Sequence, residues 1–96
     1  MQFLKDEELT ERERVMLAQD DGLYSLPVRT PEGGLSCVAK FLFTHAIIHE
    51  LGNSGYEDRW CYHTELDAAR ALLAWSGEDG TEPDGWHRHP DTDRRR

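Results

Sequence analysis

The chain has 96 residues, 38% apolar and 31% charged, and its 11 Lys and Arg against 19 Asp and Glu leave a net charge of −8. That length fits a single domain over 1–96, because a hydrophobic core rarely divides below about 100 residues. The acidic balance repels phosphate backbones and so disfavours general nucleic-acid binding. No run approaches the ~20 apolar residues of a membrane span, which disfavours a membrane role.

The charge is unevenly placed. Residues 1–85 carry 7 basic and 17 acidic side chains, whereas 86–96 carry 4 and 2 and end in Arg94-Arg95-Arg96. Met1-Gln2-Phe3-Leu4 is followed at once by Lys5-Asp6-Glu7-Glu8, unlike a secretory leader. The expected compartment is therefore the cytoplasm, where Cys37 and Cys61 stay reduced, although a disulfide between them is left open. Residues 1–10 and 90–96 read as flexible tails.

In chain order, Thr10-Glu11-Arg12-Glu13 has the form of a capping box and predicts a short helix over about 11–19, ended by Gly22. Leu23–Val28 contains Pro27, which cannot donate to a ladder, and reads as an edge strand. Thr30-Pro31-Glu32-Gly33-Gly34 is a turn, so Leu23–Val28 and Leu35–Ala39 are expected to form a hairpin. From about Ser36 to Leu51 the aromatic and β-branched content predicts a central strand, with a helix over Ala39–Leu51 as the rival. Within that strand Phe41, Phe43, His45, Ile47 and His49 share one face, while Leu51 falls out of phase with Leu42, Thr44, Ala46 and Ile48 on the other.

Gly52-Asn53-Ser54-Gly55 predicts a turn, and Tyr56–His63 a further strand with Trp60 and Tyr62 on one face. Thr64 caps a helix over about 65–75, with Glu65 and Asp67 in its first turn. Its apolar stripe is read as Leu66, Ala69, Leu72 and Leu73, and Gly77 closes it. A polar loop over Glu78–Asp84 follows, and Gly85-Trp86 returns an aromatic to the body. The expected architecture is α+β: a small antiparallel sheet of three or four strands, the 65–75 helix packed on it, and a short N-terminal helix.

Phe43-Thr44, Gly55-Tyr56, Arg59-Trp60-Cys61-Tyr62, Trp75-Ser76-Gly77 and Pro83-Asp84-Gly85-Trp86 occur in an order that resembles small uncharacterised bacterial and phage-associated proteins. The resemblance covers residues 41–89. It implies a bacterial or prophage context and transfers no catalytic residue.

Several residue groups invite a chemical reading. His49-Glu50-Leu51-Gly52-Asn53 approaches the His-Glu-x-x-His of zinc proteases, but Asn53 stands where the second imidazole belongs. Cys61, His63, His87 and His89 supply four zinc-type ligands, which keeps a zinc-binding protein or zinc-dependent enzyme as an alternative. Cys61 with His63 or His45 has the residue types of a thiol nucleophile and base, though a buried structural thiol is the simpler reading. The Asp6–Asp21 run fits a solvated helix face, or an acidic surface that imitates DNA and occupies a nucleic-acid enzyme. Trp60, Tyr62 and Trp86, with Tyr56 and Arg59 behind them, are the types that anchor protein interfaces. The favoured function is a non-catalytic binding or adaptor module with a protein partner; self-association as a homodimer stays open.

Overall fold

The computed structural model describes residues 1–19, 22–42, 44–52 and 55–87. Four strands, β1 (Tyr24–Arg29), β2 (Leu35–Lys40), β3 (His45–His49) and β4 (Asp58–Tyr62), form one antiparallel sheet in sequence order. Helix α1 (Glu11–Ala18) precedes the sheet and α2 (Glu65–Ala74) follows it. The α+β expectation holds, with the sheet at four strands.

Local chemistry explains most of the boundaries. Thr10 Oγ1 accepts from the Glu13 amide while Glu13 returns a bond to the Thr10 amide, so two orphan donors at the start of α1 are satisfied. Thr64 caps α2 by accepting from the Asp67 amide at 3.0 Å. The expected β1–β2 hairpin is present, and β1 is indeed an edge strand, broken by a register shift where Leu26 takes φ +54° ahead of Pro27. The outer side of β1 is covered at one point by the N-terminal segment, with the Leu4 amide donating to the Pro27 carbonyl at 2.7 Å. On the other edge, the His87 amide donates to the Cys61 carbonyl at 2.9 Å, so β4 is partly closed as well.

The stretch from Ser36 to Leu51 is two strands rather than one. The chain reverses at 41–44, and β2 and β3 pair from Cys37–Ile48 to Lys40–His45. The helical alternative for 39–51 is excluded. A turn was concealed there because Phe41 and Leu42 are apolar; Leu42 is 86% exposed at the hairpin tip, and Phe43 lies outside the described residues.

Both faces of the sheet are covered. On one, Leu35, Cys37, Ala39, Ala46, Ile48 and Cys61 pack with Leu9, Leu51, Met16 and Leu17 of the α1 side. On the other, Val28, Val38, Ile47, Trp60 and Tyr62 meet Ala68, Leu72 and Trp75 of the α2 side. The α2 stripe is rotated from its expected position: Ala68 and Leu72 are buried, while Leu66 is 57% and Leu73 39% exposed. The two alanines, Ala68 and Ala71, let the helix lie close to the sheet face that carries Trp60, with Leu72 as the one leucine turned inward and Leu66 and Leu73 turned outward.

Candidate functional site

Ser36 and His49 lie near the ends of neighbouring central strands, on the α2 face, and both are buried. Ser36 Oγ is 2.9 Å from His49 Nδ1, and His49 Nε2 is 3.0 Å from Asp79 Oδ1 in the loop after α2. The imidazole packs edge-on against Trp75, with ring centroids 4.9 Å apart, and Trp60 lies behind both, 5.2 Å from Trp75. His49 is therefore held by an apolar aromatic wall and satisfied at both nitrogens. Asp79, by contrast, is 61% exposed, so the row runs from the core to solvent.

Glu50 joins this group through its backbone. In a regular strand Glu50 would point away from His49. Its φ of +57° breaks the alternation, and the next amide, Leu51, returns to the ladder by donating to the Leu35 carbonyl at 2.8 Å. One residue is thus inserted at Glu50. Leu51 falls back among Ala46 and Ile48, and the Glu50 carboxylate swings to the His49 side. That carboxylate accepts from Thr30 Oγ1 at 3.1 Å and lies over Gly34, where a Cβ would come within 2.7 Å of Glu50 Cδ. A side chain at Gly34 would have to displace the Glu50 carboxylate from this position.

The Ser36–His49–Asp79 row has the connectivity of a serine hydrolase relay, but it lacks the accessibility. Ser36 has no exposed surface, so no acyl group can reach its Oγ. The row acts as a pin that ties the loop after α2 to the sheet.

That loop is held at several further points. Trp75 Nε1 donates to Thr81 Oγ1 at 2.9 Å, Thr81 Oγ1 donates to the Glu78 carbonyl, Trp86 Nε1 donates to Glu82 Oε1 at 3.1 Å, and Tyr62 Oη donates to the Asp84 carbonyl at 2.7 Å. Pro83 is buried, whereas Glu78, Asp79, Glu82 and Asp84 are exposed. Burial, with the Asp84 charge added, pushes the Tyr62 phenol up, so it remains a neutral donor.

The aromatic residues singled out from sequence are divided by this arrangement. Trp60 and Tyr62 are core residues, 1% and 3% exposed, which places them behind the loop rather than on the surface. Trp86 is half-buried beside Glu82. Tyr56 packs against the α1-side core, and the Arg59 guanidinium lies over the Phe41 ring at 5.2 Å.

The cysteine and histidine candidates lie elsewhere. Cys61 packs with Ala46 and Ile48, while His63 and His87 stack with ring centroids 4.0 Å apart; His89 lies outside the described residues. Cys37 and Cys61 are both free thiols, and burial pushes Cys37 up to about 12 and raises Cys61 as well, opposite to what an activated nucleophile needs. His45 and His49 share a strand face four residues apart, about 13 Å, so they cannot serve one metal. Among the described residues, one set of three His, Cys, Asp or Glu side chains brings its ligand atoms within 4.8 Å of one another: His49, Glu50 and Asp79. In the sequence Asn53 breaks the zinc-protease pattern that starts at His49-Glu50, and Ser36 and Asp79 lie 13 and 30 residues from His49 with no local motif to join them.

Comparison with protein-family models, curated protein sequences and solved structures finds no match to this chain. Among the described residues, no helix is long and apolar enough to cross a membrane.

Proposed function

We propose that this chain is a non-catalytic protein-binding module that docks a basic segment of its partner on loop 78–84. One observation carries the reading: four exposed carboxylates in seven residues sit on a loop tied down at several points, with His49 and Trp86 bonding the Asp79 and Glu82 carboxylates and Tyr62 and Trp75 bonding the Asp84 carbonyl and the Thr81 hydroxyl. A flexible acidic loop would lose conformational entropy on binding, whereas an ordered one has already lost it in folding. Trp86, at the rim, adds an aromatic surface of the type that attracts arginine and lysine. Two buried free thiols support a reducing, cytosolic setting. A bacterial or prophage origin is part of the same proposal.

The test is fluorescence anisotropy with a labelled arginine- and lysine-rich peptide, titrated with three forms of the protein at two salt concentrations. The Glu78→Gln/Glu82→Gln/Asp84→Asn variant loses most of the binding, while a charge-matched Glu7→Gln/Glu8→Gln/Glu11→Gln control on the N-terminal segment retains it. Equal weakening by both variants would reduce the effect to net charge and sink the docking site. It would favour a diffuse acidic surface of the DNA-imitating kind.

A further inference from the structure

The geometry points to a divalent metal site at His49, Glu50 and Asp79, taking zinc ahead of magnesium or calcium. This stands independently of the docking reading. Zinc sites of the open kind use three protein ligands, at about 2.0–2.2 Å for imidazole nitrogen and carboxylate oxygen, and leave a fourth position for water. Tetrahedral ligands at those lengths lie roughly 3.3 Å apart. His49 Nε2 and Asp79 Oδ1 are 3.0 Å apart, and all three ligand atoms fall within 4.8 Å of one another. To close the remaining gap the Glu50 carboxylate, which accepts from Thr30 Oγ1 at 3.1 Å, has to shift toward His49.

Three features fit a metal. First, Glu50 faces His49 only because the chain takes a left-handed conformation there, which a non-glycine residue adopts at a cost. Second, the other nitrogen of His49 has the partner a ligating histidine needs. With Nε2 on a metal the proton sits on Nδ1 and donates to Ser36 Oγ; without one, Nε2–H donates to Asp79 and the Ser36 hydroxyl donates to Nδ1. A hydroxyl serves both tautomers, so Ser36 supports the switch without moving. Third, the floor of the site is a buried imidazole against tryptophan, and its rim is a 61% exposed carboxylate, so an ion has a path in. The nitrogen ligand favours zinc over magnesium and calcium, which prefer all-oxygen shells.

The experiment uses the full chain without a histidine tag, with zinc counted per chain by elemental analysis after dialysis and the melting temperature followed during zinc titration. One zinc per chain is expected, with a rise in melting temperature that Asp79→Asn and Glu50→Gln each abolish. Both residues have exposed surface, so circular dichroism will show these variants folded. Ser36→Ala weakens zinc binding by roughly 10-fold or more, as loss of a partner to a ligating histidine does. Nitrogen-15 spectra of His49 show its proton moving to Nδ1 on zinc addition, a readout that a purely structural histidine would not give. Zinc binding that survives both carboxylate changes but disappears in His63→Ala/His87→Ala would transfer the metal to the stacked histidines and overturn the assignment. A thiolate band in the cobalt-substituted protein, or no zinc retained, would overturn it equally.

Discussion

Replacing Ser36 by alanine separates a pinned core from a merely small residue. Ser36 is fully buried and its hydroxyl lies 2.9 Å from His49 Nδ1, itself on a ring 2% exposed. If Ser36 were there for size alone, losing one buried oxygen would leave stability unchanged or raise it slightly. If it satisfies His49, the change strands a buried nitrogen and costs about 1–3 kcal/mol. For a domain of this size, each kcal/mol lowers the melting temperature by roughly 4–8 °C. Urea unfolding followed by tryptophan fluorescence is the assay, since Trp60 and Trp75 both pack against His49. The effect must be conditional on the imidazole. In a His49→Leu background no nitrogen is left to strand, and Ser36→Ala should then cost less than about 0.5 kcal/mol. A neutral or stabilising Ser36→Ala in the natural background would refute the pin.

Three further outcomes follow from the packing and the charges. Arg29 bonds the Glu13 carboxylate, which is 12% exposed, and holds it down at about 2 from its ordinary 4.5. A depressed carboxylate contributes stability above its unfolded value and loses it as pH falls through the folded one. The deficit of Glu13→Gln, about 1 kcal/mol once screening at the one-third exposed Arg29 is allowed for, should thus be full at pH 7 and fade between pH 4.5 and 2 in urea melts. Leu72→Ala, at a fully buried position of α2, should cost about 2–5 kcal/mol, whereas Leu66→Ala, 57% exposed, should stay within ~0.5 kcal/mol; equal effects would contradict the rotated helix face. Cys37, pushed up to about 12 by burial, should resist iodoacetamide at pH 8 in the native protein and react in denaturant, as mass spectrometry will record.

Much of the architecture was legible because it is written locally. Thr10 with Glu13, Thr64 with Asp67, and Pro27 in an edge strand are short-range devices, and each marks the element it was read for. The turn between β2 and β3 was not legible, since Phe41 and Leu42 continue the apolar run and conceal the reversal at 41–44. Leu51 is instructive. Its phase error against Ala46 and Ile48 was visible in the sequence, and its cause is the inserted left-handed residue, Glu50. The exposed placement of Leu66 and Leu73 could not be read, because a helix's apolar stripe says nothing about how large the facing side chains are. Nor could the row through Ser36, His49 and Asp79, which depends on strand register and on where a loop returns after α2.

The most direct test of the docking surface is residue-resolved mapping of the bound peptide. Amide chemical shifts of isotope-labelled protein are recorded while the arginine- and lysine-rich peptide is added. The account predicts shifts concentrated at Glu78–Trp86 and at Tyr62, whose hydroxyl holds Asp84, with little change along α1. Shifts centred on Glu7, Glu8 and Glu11, or spread evenly over all acidic positions, would contradict it.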